Sequence, residues 1–243
     1  MLHRAARRYR PALLIVAVLA LLAGIAVAVR GTEPNHRLGL FTTLPILWSE
    51  APDVADLLNS SDAPHWVRAE LARYGTIEPL DTLSGLDRVD RLVMAQPRPL
   101  SPDENVALDN WVRAGGHLVL FADPLLTEES AYALGDRRRP QDVVMLSPIL
   151  RRWGLELLFD EVQPAGERLI EGLPVNLAGR LAPVPAAACR SRAEGIVVSC
   201  MVEKGRVTVL ADAAVLERDD ANGARQKALV ALLDDAFPDH QQR

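Results

Sequence analysis

Two carboxylates stand where apolar runs meet turns. Asp123 closes His117-Leu118-Val119-Leu120-Phe121-Ala122, and Asp212 closes Arg206-Val207-Thr208-Val209-Leu210-Ala211. A carboxylate pair on one rim could hold a cation or serve as general acid and base. The competing reading is local: an aspartate before a turn accepts hydrogen bonds from the main-chain N–H groups that follow it. Thr42, Thr43 and Gln96 follow two further apolar segments. In an open α/β sheet such positions gather beyond the carboxyl ends of the strands, where ligands bind. Thr42, Thr43, Gln96, Asp123 and Asp212 therefore form the candidate ligand rim.

The thiols offer a second chemistry. Cys200 lies inside the apolar run Ile196 to Val202, and Cys189 precedes Arg190-Ser191-Arg192. A nucleophilic thiolate needs an exposed, electropositive place at a helix start or a strand-to-helix elbow, and neither has one. A two-residue turn at Glu194-Gly195 would set residues 189 and 200 directly opposite, within disulfide reach. A pair and two free thiols both stay open. No Gly-x-Ser-x-Gly elbow, His-Glu-x-x-His pair, Walker A loop or Gly-x-Gly-x-x-Gly turn occurs. His65 and His117 are isolated, and no catalytic residue, metal ligand or cofactor is assigned. Trp48, after the first strand, reads as core packing, with the rim or a membrane surface as alternatives.

The elements that position these groups alternate. Leu38 to Phe41 is a short strand, and Asp62 can cap a helix opened by Pro64 and running to Tyr74. Ile77 to Leu83 is a further strand. Leu92 to Ala95 is an apolar run of the kind buried on both faces. Ser101-Pro102-Asp103-Glu104 is a capping box with proline in the first turn, and Gly115-Gly116 is the stop. Strand, capped helix, glycine stop and strand make a βαβ crossover and a parallel pair. Leu146 to Trp153 is a short helix, Leu155 to Phe159 a strand, and the Pro- and Gly-rich residues 160–188 are loops and edge strands. Ile196 to Val202 and Arg206 to Ala211 form a hairpin, and a last helix runs from about Gly223 to Phe237. The fold class expected is α/β: a flavodoxin-like, doubly wound, mostly parallel sheet with a C-terminal β-hairpin, preceded by one transmembrane helix.

The 243 residues are 49% hydrophobic and 24% charged, which excludes wholesale disorder. Charge is uneven. Arg4, Arg7, Arg8 and Arg10 face no acid in the first ten residues, leaving 23 of the 27 basic side chains against all 32 acidic ones. So acidic a body argues against nucleic acid as a partner. Pro11 to Val29 contains no charge or hydrogen-bonding side chain. As a helix it would span about 28 Å, near the bilayer core thickness. It reads as an uncleaved anchor, with a cleaved signal peptide as the alternative because Ala26-Val27-Ala28 fits an A-x-A site. The expected organisation is a basic cytoplasmic tail (1–10), the span (11–29), a linker (30–37), an extracytoplasmic α/β domain (38–237) and a tail (238–243). That places the chain in the inner membrane, single-pass, with the lipid bilayer as a partner and the body periplasmic.

Leu92 to Pro124 resembles a segment of membrane-anchored domains related to the class I glutamine amidotransferase fold, among them the uncharacterised ABC-type transport auxiliary proteins of the gliding-motility GldG kind. The strand Arg206 to Asp212 and the entry stretch Leu38 to Trp48 are similar to further parts of it. The resemblance implies a degenerate amidotransferase-like domain without the cysteine nucleophile. Such a domain would be a non-catalytic scaffold or ligand sensor beside an ABC transporter's permease and ATPase subunits, or in an envelope complex. The alternative function is a periplasmic hydrolase using Asp123 and Asp212.

Overall fold

The structure is a computed structural model and describes residues 36–51, 64–220 and 222–238 of the chain. The basic tail, the apolar span at 11–29 and the Asp62 cap lie outside the described residues. The first half holds β1 (Arg37–Thr42), α1 (Trp66–Leu71), β2 (Thr76–Pro79), β3 (Arg91–Ala95), α2 (Pro102–Arg113) and β4 (His117–Phe121). After it come α3 (Ser147–Arg152), β5 (Leu155–Leu158), β6 (Arg168–Ile170), β7 (Leu173–Val175) and β8 (Arg180–Pro183). The last part holds β9 (Cys189–Arg192), β10 (Val197–Val202), β11 (Gly205–Leu210) and α4 (Ala224–Ala236).

Local chemistry sets the α2 boundaries. The Ser101 hydroxyl accepts the Glu104 N–H, the Glu104 carboxylate accepts the Ser101 N–H, and Pro102 sits in the first turn where no intrahelical donor is needed. His65, rather than Asp62, is the residue before α1, and its Nδ1 accepts the Val67 N–H.

Seven strands form one sheet in the order β2-β1-β3-β4-β11-β10-β9. β1 runs parallel to β2 and β3, β3 to β4, and β4 to β11. β10 is antiparallel to both β11 and β9. Side-chain alternation sends Leu38, Leu40, Val93, Val119 and Phe121 into a core completed by Val67 and Leu71 of α1 and Leu229 and Leu233 of α4. Leu92, Met94, Leu118 and Leu120 face the other way, onto Leu108 and Val112 of α2 and Ile149 and Leu150 of α3. Helices thus cover both faces, which is why β3 and β4 read as unbroken apolar runs.

The expected fold class is corrected in three respects. The sheet is mixed, not a doubly wound parallel sheet ending in one hairpin. Two residues join β10 to β11 and four join β9 to β10, far fewer than the dozen or so a parallel crossover requires. The strand expected from Leu155 is present as β5, and residues 160–183, read as loops and edge strands, supply β6, β7 and β8; together they build two further two-stranded antiparallel sheets, β5 with β8 and β6 with β7. Finally, among the described residues no helix is long and apolar enough to cross a membrane. The single-pass inner-membrane address and the bilayer as a partner rest on residues 11–29, outside the described residues, and no described helix supports them.

Cys189 and Cys200 oppose each other across β9 and β10 and are joined by a disulfide. The connection spans residues 193–196 rather than two residues, with Ala193, Glu194 and Gly195 all at positive φ. It centres on the same point, so the register between 189 and 200 is unchanged.

Candidate functional site

The five expected rim residues do lie at the carboxyl ends of β1, β3, β4 and β11, but their polar atoms face the chain itself. Thr42 Oγ1 accepts the Leu44 N–H. Thr43 Oγ1 donates to the Gln96 carbonyl and accepts the Gln141 N–H at 3.1 Å. Gln96 is fully buried in the left-handed region (φ 43°). Its amide nitrogen donates to the carbonyls of Asp123 and Gln141 at 3.0 and 2.8 Å, and its oxygen accepts the Asp123 N–H at 3.0 Å. Thr43 and Gln96 thus latch β1, β3 and β4 to the loop at 141.

Asp123 and Asp212 are buried at the ends of neighbouring strands. Asp123 accepts the N–H groups of Leu125 (2.8 Å) and Ala213 (3.1 Å). Asp212 accepts those of Ala214 (2.5 Å) and Asn176 (2.8 Å). All four carboxyl oxygens are therefore committed to main-chain donors, and the pair ties together the turns after β4, β7 and β11. Burial pushes both pKa values above the usual carboxylate range, and the charge of Asp123 raises Asp212 further. Ionisation of one therefore makes ionisation of the other harder. Among the described residues no three His, Cys, Asp or Glu side chains are grouped to hold a metal ion.

The side chains that face open space are others. Above the buried pair lies a cleft of about 510 Å³ lined by Glu50, Thr127, Glu128, Asn176, Glu217 and Asp219, from the loops after β1, β4, β7 and β11. Burial, then the charge of Glu217, pushes Glu128 up to about 7, while a hydrogen bond from the Arg218 main chain opposes them. Glu217 is ion-paired to Arg225 and accepts the Thr127 hydroxyl at 3.4 Å. Its charge also raises Asp123 and Asp212, so the cleft and the buried pair are electrostatically linked. Asn176 donates from Nδ2 to Thr127 Oγ1 at 3.1 Å, while its buried Oδ1 has no hydrogen-bond partner among the described residues. Glu50 is fixed by the Ser130 hydroxyl and the Ala131 N–H.

This arrangement has a pH signature. In the folded chain Glu128 holds its proton up to about pH 7, above the ordinary glutamate range, so the folded state binds more protons than the unfolded one between these limits. Stability is accordingly full below the ordinary range and falls as pH rises toward 7. Each tenfold separation of the two acidities is worth about 1.4 kcal/mol. Denaturant midpoints from pH 4.5 to 8 are expected to fall in the parent and to fall less steeply in Glu128→Gln.

No protein-family model and no curated protein matches the chain. Solved structures similar to it include an exo-beta-1,4-mannosidase from Opitutaceae bacterium strain TAV5, at TM-score 0.47 and 17% identity over 87% of this chain and 38% of that one. A beta-galactosidase from Halorubrum lacusprofundi matches at 0.45 and 15% over 84% and 31%. A cytoplasmic protein from Salmonella typhimurium LT2 matches at 0.41 and 13% over 83% and 99%. The chain thus spans about a third of the length of the two enzymes. At these identities and TM-scores the likeness assigns neither activity nor substrate. The kinship with amidotransferase-like transport auxiliaries of the GldG kind is corrected: no family model matches the chain, and the similar structures named above are two glycosidases and a cytoplasmic protein. The transporter partners it implied go with it. The expectation of a chain without catalytic function is not carried further, since the cleft sets Glu128, pushed up to about 7, beside Glu217.

Proposed function

We propose that the chain is a hydrolase whose acid and base are carboxyl groups in the cleft, Glu128 as proton donor and Glu217 as the carboxylate beside it. The observation that carries this reading is Glu128 itself: an accessible carboxyl held near pH 7 next to an ion-paired glutamate. A general acid works best when its pKa lies near the operating pH. Two carboxyls whose surroundings drive them apart divide the acid and base roles between them.

Asp123 and Asp212, the pair expected from the sequence, are positioning residues in this reading. They hold the turns from which the cleft side chains project, and their charge is coupled to that of Glu217. The excess of acids lining the cleft favours neutral or cationic substrates over phosphorylated ones.

The test is a panel of p-nitrophenyl glycosides, esters and phosphates. Turnover of a neutral class is expected, with activity declining above pH 7 as Glu128 loses its proton. Glu128→Gln and Glu217→Gln should each lower kcat by about 100-fold or more while circular dichroism stays unchanged. Undiminished turnover in both variants, or none with any class, overturns the proposal.

A further inference from the structure

A second concave region lies away from the acidic cleft, along the flank of α4 facing β9 and β10. It has two parts that meet at Arg192. One is an apolar cavity of about 330 Å³ bounded by Ile170, Leu173, Val197, Ala231 and Leu232, with Lys227, Arg192 and Glu171 at its margin. The other, about 510 Å³, is floored by Ser199 and rimmed by Arg190, Arg192 and Arg206. Residues Ala228, Ala231, Leu232 and Asp235 of α4 recur at helical spacing along the two parts, so one stripe of the helix borders both.

The charge here opposes that of the molecule. In a chain with net charge −5, three guanidinium groups converge and Asp235 is the one acid among the side chains bordering the second part. Asp235 meets Arg192 at 3.3 Å through its carboxylate and Arg206 at 2.9 Å through its carbonyl. Arg190 is exposed and, among the described residues, has no hydrogen-bond or ion-pair partner; the same holds for Lys227. Guanidinium groups present paired donors to oxyanions. The neighbouring apolar cavity falls within the size range of small-molecule sites.

We propose that this groove binds a single-chain amphiphile with an anionic headgroup, the alkyl part in the apolar cavity and the oxyanion on Arg190, Arg192 and Arg206. The inference does not rest on the hydrolase reading, since the groove shares no residue with the acidic cleft. Octyl phosphate below its micelle concentration is the probe, followed by isothermal titration calorimetry on the full chain. Saturable one-to-one binding is expected, at least about tenfold weaker in Arg190→Gln, the effect of losing one charge-assisted contact. Ala231→Phe, on the exposed side of α4, should weaken it similarly by filling the apolar part. Glu128→Gln should leave it unchanged. Inorganic phosphate binding as tightly as octyl phosphate would remove the alkyl subsite, and octyl maltoside binding as tightly would remove the anion subsite. Either result, or no saturable binding, overturns the proposal.

Discussion

Replacing Asp109 by alanine is expected to cost about 1–3 kcal/mol of stability, the range for leaving a buried hydrogen-bonding group without its partner. Asp109 projects from α2 and is 1% exposed. Its Oδ2 accepts Arg113 Nε at 3.0 Å and Arg152 Nε and Nη2 at 2.9 and 2.6 Å, and its Oδ1 accepts Trp153 Nε1 at 3.1 Å. Burial alone would raise its pKa, but the Arg113 and Arg152 guanidinium groups hold it below the usual range. The residue therefore bolts α2 to the α3 end, on the face of the sheet that Leu108 and Ile149 cover. The variant strands the buried indole N–H of Trp153, while half-exposed Arg152 turns to solvent and Arg113 keeps its ion pair with Glu203. Urea denaturation measures it. A loss below about 1 kcal/mol would show that this network is no stronger than an exposed ion pair.

Gly205→Ala is expected to do comparable or greater damage for a steric reason. A Cβ at this position would lie 1.9 Å from the Val112 carbonyl oxygen and 2.6 Å from that of Gly116. Both are backbone atoms at the end of α2, so no rotamer change relieves the overlap. The start of β11 would have to part from the helix, disturbing the ladder that pairs Arg206 with His117. Overpacking of this kind costs about 1–3 kcal/mol even where flexible side chains absorb it, and here none can. Gly135→Ala is the control. Its φ of +85° strains an alanine, yet nothing lies within 4 Å, so only the left-handed penalty of about 1–2 kcal/mol applies. Equal melting temperatures for the two variants would contradict the steric account.

Much of the scaffold was legible because its determinants are local. The Ser101-to-Glu104 box, Pro102 and the glycines at 115–116 state where α2 begins and ends without reference to the rest of the chain. The apolar runs of β3 and β4 follow from burial on both faces. The opposition of residues 189 and 200 is a matter of counting outward from a turn. The pairing within residues 160–183 was not legible, because three short strands leave no periodicity among their prolines and glycines.

The site was legible only in its address. The rim at the ends of β1, β3, β4 and β11 was predictable from strand–helix alternation, but the direction of its side chains was not. Thr43, Gln96, Asp123 and Asp212 turn toward main-chain N–H and C=O groups because buried backbone must be satisfied somewhere. Glu50, Glu128 and Glu217 come from three separate loops and converge only in three dimensions. The one sequence cue was a cluster of acids within a few residues after β4 and β11, at Glu128-Glu129 and Glu217. Such clusters are ordinarily solvated loops, so nothing local marked these as different. The basic groove beside α4 shows the same limit: Arg190, Arg192 and Arg206 alternate with apolar positions as any edge strand does, and their convergence depends on the sheet order.

The account's central claim is that Glu128 carries a proton near neutrality because burial and Glu217 hold it there. The most direct measurement is the carbon-13 chemical shift of the Glu128 side-chain carboxyl followed through a pH titration, in the parent chain and in Glu217→Gln. A midpoint near pH 7 that moves downward in the variant is the predicted result. A midpoint near the ordinary glutamate value of about 4.3 in the parent would contradict it.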